Sequence, residues 1–535
     1  MTQSYLQTDS GDKIGLAAHP IALGRHPDND VVVRDDLASR FHCVIEPVDD
    51  GYRVRDLGSR NGTRVNTIHI ETQDLKPGDT IAIGTSEYTY RVNAAKPAKA
   101  PARGMPARSI SGEQWALDLH ELIRELPPKS TGDEHVVIID ARNKRSEALA
   151  GQGKGPEAVR LLLVLASKSR ATDIHLEPKQ DIVHLRIRVD GQMVSIADIP
   201  RDVGDLASGL VRTACQVKTA GRDAMLDGHF SADIAGHRVD YRVSFSPSVH
   251  GQKIVIRVLD LRNTPTSLDN IGLTPYNLDR LRKVCQQDAG MVLVCGPTGS
   301  GKTTTLYNAM REIDRDHRNV ITIEDPVEYY LEGVTQMPID EAKGNTFSSL
   351  LRSVLRQDPD VILLGEIRDE DTARTAMRAA MTGHLVFSTV HAKDTLGSIF
   401  RLLDLGVEPY LVANSLNLIV AQRLVRVLCE RCKQSTRITP TITQRMGTVG
   451  QGVTDVCTPV GCSLCLRTGF RGRRAVMEML DMDDELRDII LNNPSITAMK
   501  RALAGDLFTS LEKAGWQLVA QGITSVDEVE RVMGA

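Results

Sequence analysis

One stretch constrains this chain more than any other. Met291-Val292-Leu293-Val294-Cys295 runs straight into Gly296-Pro297-Thr298-Gly299-Ser300-Gly301-Lys302-Thr303, and a helical pattern of Thr304, Leu306, Tyr307, Ala309, Met310 and Ile313 follows. A short apolar strand, a glycine-rich turn and a helix, in that order, make a phosphate-binding loop. Glycines let the backbone wrap a phosphate and turn its N–H groups inward, and the helix N-terminus adds partial positive charge. Lys302 supplies a full charge for the β- and γ-phosphates, and Thr303 offers a hydroxyl to Mg²⁺. The expected nucleotide contacts are therefore Gly296 to Thr304.

Binding is not hydrolysis, which also needs a carboxylate and a group that orients water. Residues 268–425 hold near-continuous apolar runs at Met291–Cys295, Val320–Ile323, Val361–Leu364 and Leu385–Ser388, separated by helical segments. That alternation predicts a largely parallel sheet covered on both faces. In such a sheet, ligands gather where the strands end. The runs end at Glu324-Asp325, at Gly365-Glu366 and at Thr389-Val390-His391. Any one of these alone reads equally well as a solvated strand end, but together they predict a catalytic edge.

These motifs resemble the hexameric ATPases of type II secretion and type IV pilus assembly, over roughly 155–535. Gly296–Thr303 resembles the Walker A motif of that family, and Ile321 to Tyr329 its Asp box. Leu355 to Asp369 resembles its Walker B region, and Thr382 to His391 its His box. The resemblance implies a RecA-like ATPase domain. It makes Glu366 the catalytic glutamate, has Glu324 and Asp325 orient water and metal, and has His391 sense the γ-phosphate. Residues 155–262 form an α+β unit that resembles the PAS-like second N-terminal domain of the family, through Asp173-Ile174-His175-Leu176-Glu177-Pro178 and Arg186 to Gly191. Arginines of that domain reach the nucleotide at a subunit boundary in the family, which nominates Arg188, Arg242 and Arg257. An ordinary charged sheet face is the alternative reading. The chain departs from the family where Leu226-Asp227-Gly228-His229 stands in place of a Gln-Asp-Gly-Arg pattern and Gly251-Gln252 in place of Gly-Glu. Histidine lacks the permanent charge and fork of arginine.

Cys429-x-x-Cys432 and Cys462-x-x-Cys465 account for four of the nine cysteines. Two such pairs suit tetrahedral zinc in a closed structural site, and two disulfides are the alternative. Cys457 falls between the pairs and is not an expected ligand. The assembly and secretion branches of the family carry this tetracysteine unit, and the pilus-retraction branch lacks it.

Residues 1–95 carry short alternating runs bounded by turns, which predict an all-β sandwich. Gly24-Arg25, Ser39-Arg40-Phe41-His42 and Asn61-Gly62-Thr63 resemble the forkhead-associated (FHA) domain, a phosphothreonine reader. The resemblance implies that Arg25, Ser39, Arg40, Asn61 and Thr63 bind a phosphopeptide, with Arg25 and Arg40 neutralising the phosphate and His42 propping the loops. A sandwich without ligand is the alternative. Typical members of the motor family begin instead with a domain that docks on an inner-membrane partner.

The whole chain thus reads as an FHA-like sandwich (1–95), a basic Ala/Pro linker with a short helix (96–154), the α+β unit (155–262), the ATPase domain (268–425), a zinc subdomain (426–478) and a helical C-terminal region (479–535). With 65 basic against 69 acidic residues, it is not built to coat nucleic acid. No apolar run is long enough to span a membrane, and the start Met1-Thr2-Gln3-Ser4-Tyr5 lacks signal-peptide character. The expectation is a cytoplasmic homohexamer using ATP, Mg²⁺ and structural zinc. It would sit peripherally on an inner-membrane platform and bind a phosphothreonine protein. A scaffold that binds nucleotide without turnover and a DNA-uptake or conjugation motor are the competing readings.

Overall fold

The computed structural model describes residues 4–8, 13–16, 20–26, 29–33, 35–48, 51–92, 114–127, 135–146, 153–217, 224–504 and 508–534. The basic Ala/Pro stretch lies outside them. The chain divides into two compact units, Met1–Ala102 and Arg103–Ala535.

The first unit is a sandwich of two sheets. One has six strands, in the order Lys13–Gly15, Ser4–Thr8, Ser86–Val92, Thr80–Ile83, Thr63–Val65 and Ile68–Ile70. The other has five, in the order Val31–Val32, Ile21–Gly24, Cys43–Val48, Gly51–Asp56 and Thr72–Asp74. Alternate residues of these strands face inward, and Leu6, Leu23, Ile45, Val54, Ile81 and Ile83 fill the space between the sheets.

The second unit opens with an eight-stranded sheet whose neighbours all pair antiparallel. Helices Lys154–Ser169 and Arg201–Ala214 pack on it around Ile174, Leu185, Ile187 and Phe245. It begins earlier than the expected boundary at 155. Strand Val136–Ile139 pairs with Leu226–Ile234, and helix Gln114–Glu125 buries Trp115, Leu119 and Ile123 in the same core. The short run His135 to Ile139 gives no sequence clue to its partner, which lies almost a hundred residues away.

The remainder is built on a seven-stranded sheet, in the order Thr335–Pro338, Val320–Glu324, Val361–Leu364, Leu385–Val390, Gly290–Cys295, Leu416–Leu428 and Phe470–Asp481. All neighbours are parallel except the last pair. Along Gly290–Cys295, Met291 and Leu293 enter the core on one face while Val292 and Val294 enter the core on the other. Two covered faces explain why these strands are uniformly apolar.

The last two strands revise the expected boundaries at 425 and 478. Leu416–Leu428 overruns the first, and Phe470–Asp481 returns beside it. The cysteine segment is therefore an excursion between two sheet strands. Leu466, in the turn after the second cysteine pair, is 8% exposed and packs into the core of the antiparallel-sheet domain. Helices Leu511–Ala520 and Val526–Met533 close over the excursion through Trp516, Val519 and Val529, which meet Met446 and Val456. No helix among the described residues is long and apolar enough to cross a membrane.

Truncating a fully buried aliphatic side chain typically costs about 2–5 kcal/mol. Ile123 is 0% exposed. Ile123→Ala is therefore expected to lower the urea midpoint of the domain it packs in, read by the fluorescence of Trp115 in a Trp516→Phe background. An unchanged midpoint would show that helix Gln114–Glu125 is only a tether.

Candidate functional site

Strand Gly290–Cys295 delivers the glycine-rich loop, and helix Lys302–Arg311 leaves it. Gly296, Gly299 and Gly301 take φ values of 151°, 78° and 89°, in the region that favours glycine. Gly296 has a second reason to be glycine, since a Cβ there would lie 2.4 Å from the Gln422 carbonyl oxygen. Pro297, Thr298, Gly299 and Thr303 are exposed, while Gly296 and Ser300 are buried and Thr304 is partly so. Lys302 Nζ donates to the carbonyls of Gly296 at 2.9 Å and Pro297 at 3.3 Å, curling over the loop that a phosphate would occupy. Burial pulls the Lys302 ammonium below its ordinary value, and nearby Glu366 pulls the other way.

Gln422 and Arg423, on strand Leu416–Leu428, stand against this loop, and no sequence motif points to them. Gln422, on the adjacent strand, donates from Nε2 to the Ser300 carbonyl at 2.8 Å and accepts from Thr305 Oγ1 at 2.7 Å. Arg423 sits beside it. Nothing in a single sequence links a strand more than a hundred residues downstream to the glycine loop.

The parallel sheet brings the ends of three further strands to the same edge. Glu366, 18% exposed, pairs with Arg368 and lies 3.6 Å from His391 Nε2. Arg368 also stands 3.6 Å from Asp325. Glu366, Asp325, His391 and Lys302 thus share one neighbourhood, with Arg368 in the middle of it. The sequence displayed Arg368 within the Gly365–Asp369 run but gave it no role.

Glu324 is placed differently. It is 4% exposed, and its carboxylate accepts hydrogen bonds from the Tyr307 hydroxyl, from Thr322 Oγ1 at 2.6 Å and from Gln336 Nε2 at 3.1 Å. Burial and the bond to Glu324 both push the Tyr307 phenol above its ordinary value. With three protein donors, Glu324 ties the helix after the glycine loop to its own strand, whereas Asp325 is the exposed member of the pair.

The three arginines separate in the same way. Arg242 donates to the Val327 carbonyl at 2.9 Å and pairs with Glu328 at 3.4 Å, so it touches the loop that follows Asp325. Arg188 and Arg257 instead flank Asp173, at 3.6 Å and 3.4 Å. His229 is the cross-strand partner of Arg242.

The thiols of Cys429, Cys432, Cys462 and Cys465 all lie within 4.8 Å of one another. Individual Sγ···Sγ separations are 3.9 Å for Cys429–Cys462, 3.8 Å for Cys432–Cys465 and 3.8 Å for Cys462–Cys465. A tetrahedron with Zn–S bonds of about 2.3 Å has edges of about 3.8 Å, so the donor set fits zinc. Backbone N–H groups of Gly461 and Gly469 point at Cys432 and Cys465, both at 3.3 Å, as thiolate ligands require. None of the four is in a disulfide, and Cys457 stands outside the cluster.

In the sandwich, the loops carrying the expected phosphopeptide contacts are tied together. Arg25 N donates to the Ser39 carbonyl at 2.9 Å, Ser39 Oγ accepts from Arg60 N at 2.9 Å, and Asn61 Nδ2 donates to the Leu37 carbonyl at 2.7 Å. Buried His42 accepts from Ser39 N at 3.0 Å and reaches the Gly62 carbonyl at 3.3 Å. Asp35 ties this region to the Gly84–Ser86 turn. The Thr85 hydroxyl and the N–H of Leu37 hold its carboxyl down at about 2. The side chains of Arg25 and Arg40 are exposed. Thr63 is not, since it is fully buried and its hydroxyl donates to Asp56 at 2.5 Å, so it supports the loop from inside.

Residues 151–531 match the family model described as type II/IV secretion system protein, and residues 21–84 match the FHA domain. The type II secretion system protein E of Aeromonas hydrophila is 36% identical over 457 residues, covering 82% of this chain and 91% of the relative. The type II secretion system ATPase E of Vibrio cholerae is 36% identical over 402 residues, covering 75% and 80%. The X-ray structure of the Legionella pneumophila ATPase DotB matches 69% of this chain and 94% of its own, with a TM-score of 0.54 and 21% identity, which is a likeness of fold. The chain therefore belongs to the type II/IV secretion system protein family, with an FHA domain ahead of the family region.

Proposed function

We propose that this protein is a ring-forming ATPase motor, a homohexamer that drives type II secretion or type IV pilus assembly from the cytoplasmic side of an inner-membrane platform. The observation that carries the reading is the meeting of Lys302, Glu366, Asp325 and His391 at one sheet edge. Lys302 leaves the loop carbonyls for the β- and γ-phosphates of ATP. Glu366 takes the proton of the attacking water, and Arg368 holds its carboxylate in place. His391 reports on the γ-phosphate, and Asp325 orients water from the neighbouring strand end. Thr303 would hold Mg²⁺, which would supply charge neutralisation at the phosphates. Glu324 positions the helix that carries Lys302. Arg242 is the best placed of the three arginines to act on the nucleotide edge. Arg188 and Arg257 could do so only by serving a neighbouring subunit.

The FHA domain tethers this motor to a partner carrying phosphothreonine. Arg25, Arg40 and Ser39 take the phosphate, and Asn61 takes the peptide backbone.

Glu366→Gln is expected to lower steady-state phosphate release by about a hundredfold or more while nucleotide still binds. Equal release by both proteins would leave a nucleotide-binding scaffold as the better reading. Atomic emission is expected to find one zinc per chain, lost in Cys432→Ser, and metal-free wild type of full stability would remove the structural role. A fluorescent phosphothreonine peptide recognised by the full chain is expected to bind roughly tenfold or more weakly to Arg40→Ala, since charge-assisted hydrogen bonds are worth about 1.5–3 kcal/mol. Binding that ignores Arg40, or ignores the phosphate, would refute this placement of the site.

A further inference from the structure

Arg423 sits between two loops that act on the same ligand. Its Nη1 donates to the Gln422 carbonyl at 3.0 Å, and its Nη2 donates to the Lys393 carbonyl at 2.5 Å. Lys393 follows His391 by two residues. Gln422 in turn holds the glycine loop through Ser300 and Thr305, and its carbonyl packs against Gly296 with no room for a methyl group. Among the described residues, no carboxylate lies within ion-pair distance of Arg423. Arg426, three residues on, meets Glu528 at 2.5 Å. One acceptor is the carbonyl of the residue just before Arg423, so the guanidinium ties its own strand, at the point where Gln422 packs on the glycine loop, to the segment after His391. Its planar fork fixes the spacing of what it joins.

From these contacts we propose that Arg423 is a positioning residue that couples the phosphate loop to the loop carrying His391. The grip on a nucleotide then depends on whether a γ-phosphate is present. The inference rests on the ATPase reading above. When His391 engages a γ-phosphate, the chain that follows it shifts and the Lys393 carbonyl shifts with it. The guanidinium carries that shift to Gln422, where close packing at Gly296 leaves no slack. A lysine at the same place keeps the charge, but its single ammonium cannot hold both carbonyls in a fixed fork.

The test compares the full-length wild type with Arg423→Gln and Arg423→Lys. It measures dissociation constants for fluorescent ADP and for a fluorescent non-hydrolysable ATP analogue, with thermal melts on each protein. Both variants are expected to bind ADP within about twofold of wild type and the ATP analogue roughly tenfold more weakly, a usual size for coupling between sites. Equal weakening for both nucleotides would mark a merely structural residue and overturn the proposal. So would unchanged affinities, or full recovery by lysine, which would make Arg423 a simple charge. Should Arg423→Gln fail to melt cooperatively, the lysine variant decides alone. Wild type that binds neither nucleotide overturns the ATPase reading and this inference together. Wild type that binds both, with variants that discriminate as it does, overturns only the inference.

Discussion

Burial of the central sheet on both faces governs most of what this chain can do. Strands such as Gly290–Cys295 and Val361–Leu364 present apolar side chains to two cores at once, so their interiors carry no chemistry. Polar groups collect where the strands stop, and parallel pairing makes them stop at one edge. Glu324 shows how strict the rule is. Lying one residue too early to escape burial, its carboxylate is kept inside only because Tyr307, Thr322 and Gln336 all donate to it. Asp325, one residue later, is exposed.

The parts legible in the sequence were those governed by local pattern. The glycine loop, the apolar strand runs, the strand-end acids and the paired cysteines all announce themselves within a dozen residues, and the folded chain places them accordingly. Contacts made across the sheet were not legible. Gln422 and Arg423 reach the glycine loop from a strand far downstream, and Arg368 owes its central place to the spacing of three strand ends. Thr63 failed in the opposite sense. Its place in a signature suggested a ligand contact, but alternation along Thr63–Val65 turns it inward to Asp56. Domain edges were least legible, because strand pairing joins segments that composition separates. Strand Val136–Ile139 looks like linker until Leu226–Ile234 is beside it.

The two units answer different questions with similar chemistry. In the sandwich, exposed arginines stand on loops that His42, Asp35 and Asn61 brace from behind. At the glycine loop, Lys302 is held by the carbonyls of Gly296 and Pro297. Both keep a cation near the surface and spend the neutral polar groups on holding the loop's shape.

Leu466 carries a consequence for how this protein can be divided. It belongs by sequence to the cysteine excursion, yet it lies in the hydrophobic core of a domain that begins some three hundred and fifty residues earlier. A fragment cut at the end of the antiparallel sheet would leave a gap where that leucine sits, and a cysteine segment expressed alone would expose it. The segments that look most separable on paper are therefore finished by each other. The turn that carries Cys462 and Cys465, by fixing where Leu466 projects, becomes part of the architecture of a domain that contains none of the four clustered cysteines.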